Sequence, residues 1–158
     1  MSHSFTLRPA QKKDADTIRQ MIKKARLNPM GLDWRRFIVA IDENGRIIGC
    51  GQVKPHRDGS RELASLVVQK PWRKKGVARA IITHLQQQHH PPLWLMCGSH
   101  LIPFYTKHGF QHITNPNQMP PYFRRINHLF HLYSRLRPRP IVLAIMCWNP
   151  QTSNTILT

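Results

Sequence analysis

The sequence predicts an α/β (α+β) fold built on a mixed, mostly antiparallel sheet of about seven strands. Three observations lead there. Short apolar runs are interleaved with stretches whose apolar residues recur every three and four positions, so strands and helices take turns along the chain. Two strand-like runs, 36–41 and 46–54, are joined by Asp42-Glu43-Asn44-Gly45, and Asn-Gly between apolar runs is a strong hairpin signal. The stretch 63–82 passes from an apolar strand through a short basic loop into a helix. At 158 residues a single domain over 1–158 is expected, with its core over about 5–148. The polar tail 149–158 is expected to fray.

Each element has a local cause. Residues 5–8 alternate and open the sheet, with Pro9 closing the strand. Over 11–26, Ala15, Ile18, Ile22 and Ala25 form one helical stripe, while Lys12, Lys13, Arg19, Lys23 and Lys24 cover the solvated side. Pro29 and Gly31 break the pattern. After the hairpin, the turn at 55–60 returns the chain as a strand over 62–68, which makes a meander. Residues 76–90 read as a helix ended by Pro91-Pro92, and 93–97 as a short buried strand. A short helix at 100–107 tolerates Pro103 only in its first turn, Gly109 suits its C-terminal cap, and a strand begins at Phe110. Tyr122, Ile126, Leu129, Phe130, Tyr133 and Leu136 recur at helical spacing among arginines, a stripe that ordinarily faces a core. A last buried strand covers 141–147.

Composition narrows the class. Twenty-four Lys+Arg against 7 Asp+Glu give a net charge of +17, a surface that draws phosphate-rich or acidic partners. Cys50, Cys97 and Cys147 are widely spaced and odd in number, which argues for buried thiols in a reducing, cytoplasmic setting rather than a disulfide framework. No signal-peptide pattern is visible, and the longest apolar run, 141–148, is too short to span a bilayer, so no membrane partner is expected. No His-Glu-x-x-His or cysteine cluster calls for a metal.

The loop after the 62–68 strand carries the chemistry. It reads Arg73-Lys74-Lys75-Gly76-Val77-Ala78, and it opens a helix. The first amides of a helix lack internal partners and sit at its positive end, which suits an anionic oxygen. Gly76 and Ala78 let that backbone approach a ligand. The Gly-Lys-Ser/Thr ending of a P-loop is missing, as are the three spaced glycines of a dinucleotide site. The pattern Arg73-x-x-Gly76-x-Ala78 between a strand and a helix resembles the cofactor motif of the GNAT superfamily of acetyl-CoA-dependent N-acetyltransferases. Pro103-Phe104-Tyr105-Thr106-Lys107-His108-Gly109-Phe110 resembles the same family's Tyr-Glu-Lys-x-Gly-Phe signature. The resemblance covers about 5–113 and implies helices on both faces of the sheet.

It also implies roles. The backbone of Leu66, Val67 and Val68 would pair with the pantetheine arm of acetyl-CoA, and an N–H near Leu66 would serve the oxyanion. The loop Arg73, Lys74, Lys75, Gly76, Val77, Ala78 and Arg79 would hold the pyrophosphate. Tyr105 would protonate the leaving thiolate; the other reading is a core tyrosine. Glu62, or a water chain as in many members, would accept the amine's proton; the other reading of Glu62 is a carboxylate paired with Arg61 or Arg57. One departure stands out: where many members have an asparagine seven residues before the tyrosine, this chain has Gly98, followed by Ser99. The implied reaction moves acetyl from acetyl-CoA to a primary amine, either a protein N-terminus or lysine or a small amine. A second reading is a basic nucleic-acid-binding or interaction protein on the same fold, which the charge supports and no motif does.

Overall fold

The computed structural model describes residues 4–139 and 142–151. Seven strands form one sheet in the order β1-β2-β3-β4-β5-β7-β6. In chain order the elements are β1 (Phe5–Pro9), α1 (Ala15–Lys24), β2 (Phe37–Asp42), β3 (Ile47–Pro55), β4 (Arg61–Val68), α2 (Val77–Gln88), β5 (Leu93–Gly98), α3 (Ile102–Thr106), β6 (Phe110–Ile113), α4 (Pro121–Ser134) and β7 (Leu143–Trp148). β1 with β2, β2 with β3, β5 with β7 and β6 with β7 run antiparallel, whereas β4 and β5 are parallel. The α/β class, the mostly antiparallel sheet and the four α-helices agree with the sequence reading. Residue 141 and most of the expected frayed tail, 152–158, lie outside the described residues.

The chain groups into two compact units. The first holds residues up to Lys54 and Leu63–His89. Its hairpin forms as Asn-Gly demands: Gly45 takes φ +74°, and Asp42 Oδ1 accepts the N–H groups of Asn44 and Arg46, each at 2.9 Å. Ile18, Met21 and Ile22 of α1 pack with Phe37, Val39, Ile47 and Cys50. The first turn of the expected 11–26 helix is instead a 3-10 turn, Lys12–Asp14. Asp14, buried there, is gripped by both Arg8 guanidinium nitrogens, at 2.7 and 3.1 Å. The other helix of this unit, α2, lies close over β3 because β3 carries glycine. A Cβ on Gly51 would stand 2.8 Å from Ile81 Cγ2, and one on Gly49 2.9 Å from Val77 Cγ1.

The second unit holds Pro55–Glu62 and the chain from His90 onward. Its core joins Trp94, Met119, Phe123, Ile145 and Cys147. Glu62 pairs in register with Trp94 across the parallel β4–β5 contact. The three cysteines are buried free thiols, with burial pushing Cys50 up to about 12 and Cys97 and Cys147 up to about 11.

Candidate functional site

In the first unit, β4 leads into the basic loop. Ser65 adopts φ +57° inside the strand, a left-handed residue that interrupts the alternation and re-aims the neighbouring peptide groups. Its geometry is held from β3: buried Gln52 donates from Nε2 to Ser65 Oγ at 2.9 Å, and Cys50 Sγ lies 3.7 Å from the Ser65 carbonyl. Leu66, Val67 and Val68 follow, all half-buried, and Val67 packs against the core. A short 3-10 turn, Lys70–Trp72, then carries the chain to Arg73, whose Nε donates back to the Val68 carbonyl at 3.3 Å. That bond fastens the loop to the end of its strand.

Two left-handed residues, Lys74 at φ +61° and Gly76 at φ +83°, turn the backbone into α2. Gly76 is the N-cap residue, no side chain caps the helix, and the first turn carries no acid. The leading amides are therefore open to an anion. A Cβ on Gly76 would meet nothing within 4 Å, so the space in front of the loop is clear. Arg73, Lys74, Lys75 and Arg79 are exposed, with the Lys75 ammonium 5.6 Å from the Trp72 ring centre. Val77 is fully buried and Ala78 half-buried, which leaves their backbones, rather than side chains, for any ligand.

The segment before β2 is anchored in the same unit. Buried Lys54 donates from Nζ to the Met30 carbonyl at 2.8 Å, and Gly31 turns at φ +68° against the lysine stem. Leu32 packs on the core, whereas Met30 is 73% exposed.

In the second unit, Glu62 is buried and its Oε2 lies 2.7 Å from His56 Nε2. Neither arginine weighed from the sequence takes that place; Arg61 donates to the His90 carbonyl. The His56 imidazole is stacked on the Tyr122 ring, 3.6 Å between centres at 16°, with Phe123 edge-on to both. The Tyr122 N–H donates to Asp58 Oδ2 at 2.8 Å, and Asp58 Oδ1 accepts the Ser60 N–H and hydroxyl at 2.9 and 2.6 Å. Burial raises the Asp58 carboxyl, but these bonds outweigh it and hold it below the ordinary range. Burial, then the Glu62 and Asp58 carboxylates, push the Tyr122 phenol up.

His56 had a signal in the sequence, because residues flanking a tight hairpin turn face one another, and its N–H bonds the Ser60 carbonyl across that turn at 2.9 Å. Tyr122 had none: it reaches Asp58 across 64 residues.

Tyr105 lies on α3, buried between the edges of Phe104 and Phe110, 4.9 and 5.9 Å between ring centres. Burial, with Cys97 adding to it, pushes its phenol well above the ordinary tyrosine value. At Gly98, a Cβ would come within 2.7 Å of the His100 ring, so an imidazole fills the room that a side chain there would need. The Ser99 backbone N–H donates to the Val142 carbonyl at 2.9 Å. No cluster of three or more metal-ligating side chains occurs among the described residues.

Comparison with known proteins adds the following. A family profile described as an acetyltransferase (GNAT) domain matches residues 33–112, just over half of the chain. No curated protein matches the sequence. Among solved structures, Rv2747 from Mycobacterium tuberculosis, in complex with CoA, superposes with a TM-score of 0.68 at 19% identity, over 90% of this chain and 98% of that one. N-acetylglutamate synthase from Neisseria gonorrhoeae, complexed with coenzyme A and N-acetyl-glutamate, gives 0.68 at 15% identity over 94% of this chain. The chain spans 35% of that enzyme's length. A GNAT-family acetyltransferase from Staphylococcus aureus Mu50 gives 0.64 at 14% identity, over 92% and 99% of the two chains. At such identities the likeness is one of fold.

Proposed function

The chain belongs to the GNAT acetyltransferase family, enzymes that move an acyl group from acyl-coenzyme A to an amine, and from that premise we propose that it transfers acetyl from acetyl-CoA to a primary amine by direct attack. The observation that carries this reading is the uncapped, acid-free start of α2 behind a loop of exposed cations, with left-handed Gly76 at the cap. Arg73, Lys74, Lys75 and Arg79 supply charge to the diphosphate, and the amides from Gly76 through Arg79 supply donors. The backbone of Leu66, Val67 and Val68 takes the pantetheine arm, in the manner of an added strand. What supports this role is the left-handed Ser65, which turns the backbone immediately before Leu66.

The chemistry then divides among few groups. The ammonium gives a proton to Glu62, whose carboxylate His56 holds in one orientation from 2.7 Å. The neutral amine attacks the thioester carbon, and the oxyanion meets the N–H of Leu66. The carbon–sulfur bond breaks, Tyr105 gives its proton to the departing thiolate, and the extra proton on the newly acylated nitrogen passes to the Tyr105 phenolate. A buried phenol stays protonated throughout the neutral range, which keeps the donor form filled. Met30 and its neighbours, tethered by Lys54, form the acceptor-side cover in this reading.

The acceptor class is an amine on a protein N-terminus, a lysine or a small molecule. With net charge +17, an acceptor that also carries negative charge is favoured over a polyamine. The gonococcal neighbour is complexed with N-acetyl-glutamate, an acylated amino acid, which fits that preference. The test is a screen with radiolabelled acetyl-CoA over amino acids, peptides, proteins and polyamines. Label on an amine is the expected result. Absence of transfer to any class, with no thermal stabilisation by acetyl-CoA, overturns the proposal.

A further inference from the structure

The stripe at 122–136 does only part of what its spacing foretold, with Tyr122, Ile126 and Phe130 half-buried and the rest exposed. Only Phe123 of α4 is buried. Leu129, Leu132 and Tyr133 are 60%, 48% and 50% exposed, and Leu136, just beyond the helix, is 85% exposed. Leu129, Leu132 and Leu136 follow a spacing of three and four, so they form one outward stripe, with Tyr133 beside it. Apolar side chains left in water on one continuous face mark a surface that something covers.

The charge around the stripe says what. Arg124, Arg125, Arg135, Arg137 and Arg139 lie in or just after α4, and the chain from 63 to 158 contains no Asp or Glu at all. Among the described residues no ion pair engages these arginines. Arg124 donates to the Pro116 and Met119 carbonyls, and Arg137 lies 4.7 Å from the Tyr133 ring centre. Arg125 stands one turn before Leu129 on the same stripe.

We propose that α4 and the residues following it lie flat on an anionic membrane surface, leucines at the acyl boundary and arginines at the lipid phosphates. Each part of the pattern is used by such a surface. A nucleic acid would use the arginines and leave the leucines in water. A protein partner of fixed shape is met by charges of both signs that set a register, whereas this segment carries one sign only, which suits a fluid array of anionic headgroups. The helix has 14 residues, hence a length of about 21 Å against a hydrocarbon core of about 30 Å. No helix among the described residues is long and apolar enough to cross a membrane. The expectation of no membrane partner rested on that length, and a helix in the interfacial plane is not bound by it.

The experiment is co-sedimentation of the whole chain with vesicles of phosphatidylglycerol and phosphatidylcholine, or of phosphatidylcholine alone. Binding to the anionic vesicles only is expected. Because a chain of charge +17 is drawn to any anionic surface, the deciding variant removes no charge. The combined Leu129→Gln, Leu132→Gln and Leu136→Gln protein should lose partitioning by at least about tenfold. Its thermal midpoint should be unchanged, since all three side chains are exposed. Arg125→Gln with Arg135→Gln should weaken binding as well. Wild-type partitioning by the leucine variant would overturn the proposal, since charge alone would then explain it. So would a wild-type protein that binds RNA but not vesicles, or one that binds neither.

Discussion

Tyr105 is enclosed by Phe104 and Phe110, and that enclosure decides its chemistry. Burial raises the phenol, so no alkaline fall in activity below about pH 10 should come from its ionisation. Tyr105→Phe should lower kcat by roughly a hundredfold while coenzyme A affinity persists, measured by steady-state kinetics and calorimetry. Unchanged kcat across the pH range would remove it from the mechanism. Asp14 is a second residue whose environment fixes its behaviour. The Arg8 guanidinium, ahead of the Gln11 N–H, holds its carboxyl below the usual value despite burial. A lowered folded-state value means that the stabilisation is full above the unfolded value near ~3.9 and fades as pH falls through the folded one. Asp14→Asn should cost about 1–3 kcal/mol at neutral pH, read by urea unfolding, with a smaller difference from wild type in acid. Both environments were beyond the sequence. The motif named Tyr105 but not its neighbours, and Arg8 and Asp14 meet only once β1 turns into the 3-10 step.

At the level of elements, the β4–loop–α2 unit is what the sequence shows best, because its signals are local. A glycine that must take positive φ, cations around it and a helix beginning at Val77 are all properties of a few consecutive residues. Gly76→Glu combines a strained φ with a bulky anion where phosphate is proposed to sit. It should abolish detectable acetyl-CoA binding in calorimetry, in a protein that still gives a native circular dichroism spectrum. Normal binding would count against the loop. The hairpin and the sheet were legible for the same reason of locality, and the boundaries moved by one or two residues. The helix at 121–134 was legible as a helix but not in its packing. Periodicity reports that one face is apolar, not that anything lies against it.

At the scale of the molecule, ligand binding links to stability. Acetyl-CoA at a hundredfold excess over its dissociation constant should add about 2.7 kcal/mol to the unfolding free energy, seen as a raised thermal midpoint. No change in the midpoint at any concentration would contradict cofactor binding by the folded chain. The sequence alone determined the α/β class, the succession of strands and helices along the chain, the family and the strand–loop–helix that carries the proposed cofactor site, because each depends on residue type at short spacing. Only the tertiary structure decided that His56 and not an arginine faces Glu62. It alone decided that Tyr122 roofs the imidazole, that His100 fills the room beside Gly98, and that the leucines of α4 face water. Two of those facts, Tyr122 over His56 and the open face of α4, depend on which distant segments meet; the other two, His56 beside Glu62 and His100 beside Gly98, depend on how side chains turn across a short loop. A pattern of period two or 3.6 carries the orientation of a face without the identity of its neighbour.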